Sequence, residues 1–519
     1  MFRKMGLLTA MLLAVVFATS NVNAQSHFQR GDANSDAAVN IGDAVFMLGA
    51  LFSGGPQPGC LDAADVNDDG AFNIADAVAA LAFLFSGGAA PAEPFFTWEA
   101  DPTADALPCK PEMTISGDIV ADIVLTNDTT WRLEPTFVKA GVTMTIQPGT
   151  TIIGDNATDG FLAIERGAIL RAIGTAAQPI VFTSEFAPGN RNRQDWGGVL
   201  LIGNGVNNFP AGEAFVEGLT NTTFGGGANP VAGEDSATLS YVRVEWGGTE
   251  ISPANEINAI TIASCGTGTN LDHVQTKFNF DDGFEWFGGG ANLKYGLAYG
   301  IGDDDFDGSF GWNGNLQFIA GIKDASGIGQ TGDNGLEFDN SEPGLHPFSS
   351  TPRTNPIVHN FTLVGSLTTQ GADIGGEIRR GSIGDWQNGI VEGWADRGWV
   401  IDADSMEGAL TNGTLHDAIT FANNATNYDA TVHTTTGGTE STDSFMSLVM
   451  GNNQQSASSV LLSLDSTSAD FLRPDAMLLD GSVANPGGFF DAAPYRGAVD
   501  PNAGSANWLQ ASWISYEAN

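Results

Sequence analysis

Positive charge is what this chain has least of: 20 Lys and Arg stand against 61 Asp and Glu in 519 residues, a formal net charge of −41. Nucleic acids are held by clustered cations, so this shortage excludes DNA and RNA as primary partners. Cysteine is scarcer still, and no spacing among Cys60, Cys109 and Cys265 suits a zinc site or a thiol nucleophile. Neither a Ser/His/Asp set nor a phosphate-cradling Gly loop stands out. Beyond the first segment no apolar run reaches the ~20 residues a bilayer span requires, so no transmembrane segment is expected. What is abundant is Gly, 67 residues, with 32 Phe, while charged residues make up only 16%. That is too apolar and aromatic for a disordered acidic tail and describes a folded, turn-rich acidic protein.

The chain opens with Arg3 and Lys4, an apolar run from Leu7 to Ala18, and Val22-Asn23-Ala24 before Gln25. Charged, apolar and small-residue parts in that order predict a secretory signal peptide over residues 1–24, hence a secreted or cell-surface protein. In an oxidising compartment two cysteines pair. Cys60 and Cys109 flank one small acidic module and are the expected pair, whereas Cys265 ends the apolar run Ala259-Ile260-Thr261-Ile262-Ala263 and reads as a core residue. Composition shifts at Ala89-Ala90-Pro91-Ala92-Glu93-Pro94 and again after residue 400. The expected division is an acidic module over 29–90, a linker over 91–112, a Gly-rich centre over 113–400, and a terminal region over 401–519.

Residues 32–55 and 65–88 repeat at a constant offset of 33. Asp32, Asn34, Asp36, Asn40 and Asp43 match Asp65, Asn67, Asp69, Asn73 and Asp76, at positions 1, 3, 5, 9 and 12 of a twelve-residue loop. Oxygen ligands so spaced wrap one tight turn around a hard cation, and the cation implied is calcium. Each loop runs into apolar residues at helical spacing, Ala44-Val45, Leu48, Leu51-Phe52 and Ala77-Val78, Leu81, Leu84-Phe85, before Ser-Gly-Gly stops the helix. This region resembles the dockerin type I family, two calcium loop–helix repeats. The resemblance implies that the side chains just named are ligands, joined at position 7 by the backbone carbonyls of Ala38 and Ala71, and that a cohesin-like protein is a possible partner. Gly70 holds the turn position of the second loop where the first has Ala37, so the first site is expected to be the weaker.

From residue 113 to 400 short alternating segments such as Thr143-Met144-Thr145-Ile146 and Gly198-Val199-Leu200-Leu201-Ile202 are broken by Gly, Asn and Asp turns. Asn270-Leu271, Asn292-Leu293 and Asn315-Leu316 start 22 and 23 residues apart, which is the length of one solenoid coil. The fold class expected is mainly β, a right-handed parallel β-helix preceded by a small α-helical module of paired EF-hand-like loops. Ile146-Gln147-Pro148-Gly149-Thr150, the run from Ile173 to Thr183, and Asp195-Trp196-Gly197-Gly198 resemble secreted bacterial proteins of the pectin-lyase-like β-helix superfamily. The terminal aromatics Phe489-Phe490, Tyr495, Trp508, Trp513 and Tyr516 are expected to cap the open end of the helix.

Acidic residues recur at coil spacing: Asp281-Asp282-Gly283-Phe284-Glu285, then Asp303-Asp304-Asp305-Phe306-Asp307, then Asp333-Asn334-Gly335-Leu336-Glu337-Phe338-Asp339. Stacked in register they form one ridge, with equivalent positions ~4.8 Å apart. Two readings stay open. In one, the ridge is structural turns or metal, and the rod binds extracellular polysaccharide without turnover. In the other, Asp281, Asp282, Asp304, Asp305 and Arg379 are the catalytic residues of a calcium-dependent polysaccharide lyase or a glycoside hydrolase, with Lys277, Lys294, Arg379 or Arg380 abstracting a proton in the lyase case. The Asp-Asp pairs also look like the acidic motif of polygalacturonases, although that family's Gly-His-Gly and Arg-Ile-Lys elements are not found at matching positions.

Overall fold

A computed structural model describes residues 27–517 apart from 36–37, 54, 56–57, 104–106, 108, 110–111, 187–188, 220, 253–254, 324–333, 366–373, 430–431, 436–437, 442–451 and 479–480. The expected signal peptide, Asp36, Ala37 and Asp333 therefore lie outside the described residues. The centre is one parallel sheet system of 24 strands wound into coils. Its faces are three. Sheet A stacks strands such as Thr151–Gly154, Ile180–Ser184 and residues 242–245, 274–277 and 296–299. Sheet B stacks Val199–Ile202, Ile260–Ala263, Phe284–Phe287, Phe306–Ser309, Leu336–Asp339 and Ile374–Arg379. Sheet C stacks Thr143–Ile146, Ile169–Ile173 and residues 237–240, 270–272, 292–294 and 315–317. The Asn-Leu repeat read from the sequence is in register, Asn270 opposite Asn292 and Leu293 opposite Leu316, so its period is the coil.

Alternation decides what each strand buries. Along sheet B, Phe284 and Trp286 point inward and stack on Phe306 and Trp312, with ring centroids 5.4 and 4.6 Å apart. Gly308 faces the same interior because a Cβ there would lie 2.4 Å from the Phe338 ring. The four tryptophans considered as sugar platforms, Trp196, Trp246, Trp286 and Trp312, are all buried and pack the coils instead. Cys265 is a buried free thiol in the same interior, as expected of a core residue.

Sheets C and A are joined by a single residue in the left-handed conformation: Tyr241, His273, Tyr295, Phe318, Asn360 and Asn388 all have φ between 51° and 56°. Side chains other than Gly and Asn resist this conformation. Here the aromatic ones stack on one another, His273 lying 4.5 Å from Tyr241 and 4.4 Å from Tyr295, and Phe318 4.8 Å from Tyr295.

The terminal aromatics do not cap the end of the helix. Residues 490–513 run back down this corner, with Phe490 on His359, Tyr495 on Phe318, Trp508 on Tyr295, and Trp513 on His273 and Tyr241. Polar groups fix the register. Asn360 Nδ2 donates to Tyr495 O at 2.7 Å, Lys294 Nζ to Phe489 O at 2.8 Å, and Lys277 Nζ to Ser515 Oγ at 3.0 Å. The physical reason is the outer face of sheet A, where Leu297, Ala320, Ile322, Val364 and Ile390 form an apolar strip that Val460, Leu461, Phe471, Leu472, Val499 and Leu509 cover.

In the N-terminal module helix α1 (Ile41–Phe52) packs on α3 (Ile74–Ser86), with the short α2 (Leu61–Ala64) between them in sequence. Ala44, Met47, Ala77 and Ala80 are its core. The described part of residues 91–112, expected as a linker, is packed. His27–Phe28 pairs antiparallel with Glu99–Ala100, Phe95 is buried against Phe83, and Cys60 is disulfide-bonded to Cys109. Arg30 holds this strap in place. Fully buried, it meets Asp62 at 2.9 Å, Asp68 at 3.0 Å and Asp101 at 2.8 Å.

Candidate functional site

The two acidic loops share one construction. Asn40 and Asn73 each cap the following helix, and the capping boxes are closed by Asp43 and Asp76. Asp43 Oδ1 also accepts the N–H of Ala33 at 2.9 Å, and Asp76 Oδ1 that of Asn67 at 3.5 Å, which draws position 12 against the start of each loop. Asp65 accepts the N–H groups of Asp69 and Gly70, at 3.1 and 2.7 Å, and Gly70 takes the turn at φ +77° that its place in the loop calls for. The position-7 carbonyls of Ala38 and Ala71 accept from the position-9 amides of Asn40 and Asn73 at 3.1 and 2.7 Å. In the second loop Asp65 and Asp76 are brought against each other, and in both loops the position-12 carboxylate is tied to the start of the loop; Asp36 lies outside the described residues. Burial and the neighbouring Asp65 push the Asp76 carboxyl up to about 6. Crowded oxygen donors with two carboxylates opposed fit a hard cation.

The second site is the outer face of sheet B. Alternation turns Glu285, Asp307, Glu337 and Glu377 outward in one column, paired in register from coil to coil. Beside it runs a staircase of backbone bonds: Asn258 Oδ1 accepts the N–H of Asp282 at 3.2 Å, Asp282 Oδ1 that of Asp304 at 2.8 Å, and Asp304 Oδ1 that of Asn334 at 2.7 Å. Three carboxylate groups, Asp281/Asp282/Asp303, Asp282/Glu285/Asp307 and Asp304/Asp307/Glu337, bring ligand atoms within 4.8 Å of one another. Burial, then mutual repulsion, drives Asp281, Asp282, Glu285 and Asp307 well above the ordinary carboxylate range. Amides reach two of the ridge carboxyls without offsetting the effect: Asn258 Nδ2 donates to Glu285, and Asn334 Nδ2 to Glu337 at 2.9 Å, yet burial, then Asp304 and Asp307, push the Glu337 carboxyl up to about 12.

The ridge opens into a cleft of about 660 Å³, whose far wall is Phe209, residues 214–217, Leu219 and Phe224. Phe209, Phe215, Phe224, Phe287 and Phe310 supply its aromatic surface. Its charged lining among the described residues is Glu217, Glu285, Asp307 and Glu342, all acidic. Burial, followed by Glu256 and Glu342, raises the Glu217 carboxyl to about 7.

The nominated catalytic residues part company here. Asp281, Asp282 and Asp304 sit on the ridge beside the column. Asp305 is turned inward over Gly321, its carboxylate 3.3 Å from the buried Lys323. Arg379 is bonded to Glu337, to Asp339 at 2.9 Å and to Glu377 at 3.1 Å, while Arg380 reaches Asp339 at 2.5 Å and Glu342 at 2.6 Å. Lys294 pairs with Asp491 at 3.0 Å, and Lys277 is engaged by the tail. Glu285 and Asp307 face the cleft and were not among the nominated residues. Their signal was present in the sequence: each follows an inward-pointing Phe, so a period of two sends it out. Glu217 and Arg30 carried no such signal, because their partners are remote in sequence.

These features define a class, a parallel β-helix bearing a pair of calcium-type loops on a small helical module. The chain belongs to the family of the pectate-lyase-like beta helix domain, whose model matches residues 117–461, and a dockerin type I domain model matches residues 30–80. Searches of the curated proteins and of the solved structures find no match. Dockerin type I domains bind calcium and dock cohesins, so the pair of modules is that of a carbohydrate-active protein of the assembling kind. Among the described residues no helix is long and apolar enough to cross a membrane.

Proposed function

We propose that this is a secreted protein whose β-helix binds extracellular polysaccharide in the sheet B cleft, and whose dockerin module attaches it through a cohesin-like partner. The observation that carries the reading is the cleft itself, where the exposed Phe215 and the half-buried Phe209, over a buried floor of Phe224, Phe287 and Phe310, stand beside outward carboxylates. Aromatic faces stack on sugar rings, and carboxylates accept from sugar hydroxyls, so this lining suits a saccharide chain. The signal peptide over 1–24 and export to the cell surface or medium belong to the same proposal.

Calcium is assigned to Asp32, Asn34, Asp36, Ala38 O, Asn40 and Asp43 in the first loop, and to Asp65, Asn67, Asp69, Ala71 O, Asn73 and Asp76 in the second. Bound there, the ion neutralises the position 1 and 12 carboxylates and ties each loop to its helix. Attachment is supported by the helices' outer faces: Ile41, Val45 and Phe52 and their repeat mates Ile74, Val78 and Phe85 are each more than half exposed. A duplicated apolar patch on so small a module is a protein-docking surface. Titration calorimetry tests the metal assignment. Two calcium sites are expected, with Asp65→Ala abolishing one, and a single site in the wild type overturns the duplicated assignment.

One observation favours turnover as a second reading. Glu285 and Asp307 lie one coil apart facing the cleft, with Glu217, raised to about 7, lining it with them. Carboxyls at one-coil spacing beside one that stays protonated near neutrality supply the general acid of a glycoside hydrolase, and turnover further requires that substrate binding ionise Glu285 or Asp307 as nucleophile or base. Incubating the protein with uronate and neutral polysaccharides, with calcium and then with chelator, separates the readings. Binding without new reducing ends or unsaturated product supports the binding protein; product lost in Asp307→Asn and Glu285→Gln supports the enzyme.

A further inference from the structure

We propose that the sheet B cleft selects a polysaccharide carrying protonated amines, an amino-sugar polymer, over uronate polymers. This deepens the polysaccharide reading above and rests on it.

Every charged side chain lining the cleft among the described residues is a carboxylate: Glu217, Glu285, Asp307 and Glu342. Cations around the cleft are already committed, Arg166 to Glu213, Arg379 to Glu337, Asp339 and Glu377, and Arg380 to Asp339 and Glu342. Burial and mutual repulsion hold Glu217, Glu285 and Asp307 largely protonated while no ligand cation is near, so a uronate would add negative charge to a cluster that already resists it, whereas an ammonium supplies the counter-charge that lets the carboxyls ionise. An ammonium group instead finds acceptors waiting. Asp307 Oδ1 is buried and accepts no hydrogen bond, although Asp307 lines the cleft. A buried acceptor without a donor is an unmet demand that a ligand N–H satisfies.

The walls suit the same guest. Phe215 is 68% exposed at the cleft and Phe209 half-buried, over a floor in which Phe209 lies 4.6 Å from Phe310 and Phe224 5.9 Å from Phe287. Aromatic faces attract cations as well as sugar C–H groups. Repetition matters too: Glu285 and Asp307 are one coil apart, so successive amines along a chain lying across the coils meet successive carboxylates.

The test is a binding panel on the full chain at mildly acidic pH. The probes are a glucosamine hexamer with free amines, its N-acetylated counterpart, a cello-hexamer, and oligogalacturonate with and without calcium. The free-amine hexamer is expected to bind at least about tenfold tighter than either neutral hexamer, a preference that weakens with salt. In Glu285→Gln and Asp307→Asn the ratio of amine to neutral affinity should fall toward one. In Asp118→Asn, an exposed acid outside the cleft, the ratio should hold. Glu342→Gln at the exposed rim provides a further cleft variant, and melting curves confirm that each variant is folded. Equal affinity for amine and neutral hexamers overturns the inference while leaving the polysaccharide reading intact. So does a preference that survives in the cleft variants, since it then comes from bulk charge. Calcium-dependent binding of oligogalacturonate tighter than that of the amine also overturns it. If no saccharide binds, the polysaccharide reading itself falls.

Discussion

Two single residues decide more than their neighbours in sequence suggest. Arg30 is fully buried among Asp62, Asp68 and Asp101, so removing it strands three carboxylates together. Arg30→Met is expected to destabilise the N-terminal module by about 3–5 kcal/mol, read as an earlier module transition in calorimetry. Glu217 acts in the opposite sense. Its carboxyl is raised from 4.5 to about 7 in the fold, so the unfolded chain releases its proton first. The group's contribution is therefore fully present below the unfolded value and is lost as pH rises through about 7. Glu217→Gln should stabilise the protein by about 1–2 kcal/mol near pH 8 and by almost nothing near pH 4, as urea unfolding at the two pH values will tell. Neither residue was legible in advance. Arg30 finds its partners 32, 38 and 71 positions away, and Glu217 owes its state to burial and then to Glu256 and Glu342. The outward column of Glu285 and Asp307, by contrast, followed from alternation alone.

At the scale of elements, the loops and the coils were readable because both repeat. An offset of 33 marked the paired acidic loops and their helices, and the Asn-Leu period marked the coil. The corner between sheets C and A was not readable, since left-handed residues are ordinarily Gly or Asn and this corner places Tyr, His and Phe there. Stacking outweighs the backbone cost. Tyr295 touches His273, Phe318 and Trp508, with centroids 4.4, 4.8 and 5.5 Å away. Tyr295→Gly consequently tests which effect dominates: glycine removes a strain of about 1–2 kcal/mol but also three ring contacts worth about 0.5–1.5 kcal/mol each, together with their buried area. The variant should be less stable by about 2 kcal/mol in urea unfolding. A more stable variant would mean that the backbone term wins. The expected linker failed for a different reason. A Pro/Ala-rich composition marks a surface segment, but it does not reveal that Phe95, Asp101 and Cys109 each have a partner on the module behind them.

For the molecule as a whole, the tail is the part that composition misled. A run of aromatics near a solenoid end suggests a plug, yet the rings belong to the corner stack, and the segment before them covers the apolar strip of sheet A. Arg496 is the buried clamp of that arrangement, donating to Asn452 O at 2.6 Å and Thr420 Oγ1 at 3.2 Å. Arg496→Ala should loosen the tail, increase binding of a hydrophobic dye and open the tail region to protease before the coils unfold. The cover also has a place in time. Sheet A is completed by residues up to 456, whereas most of the groups that shield it lie between 460 and 509. A chain threaded outward N-terminus first would wind its coils while one long flank is still bare, and would become soluble in its own right only when the final segment arrives. If the chain is exported as proposed, the order of synthesis sets a race between threading and self-association, which a holding chaperone on the far side would decide.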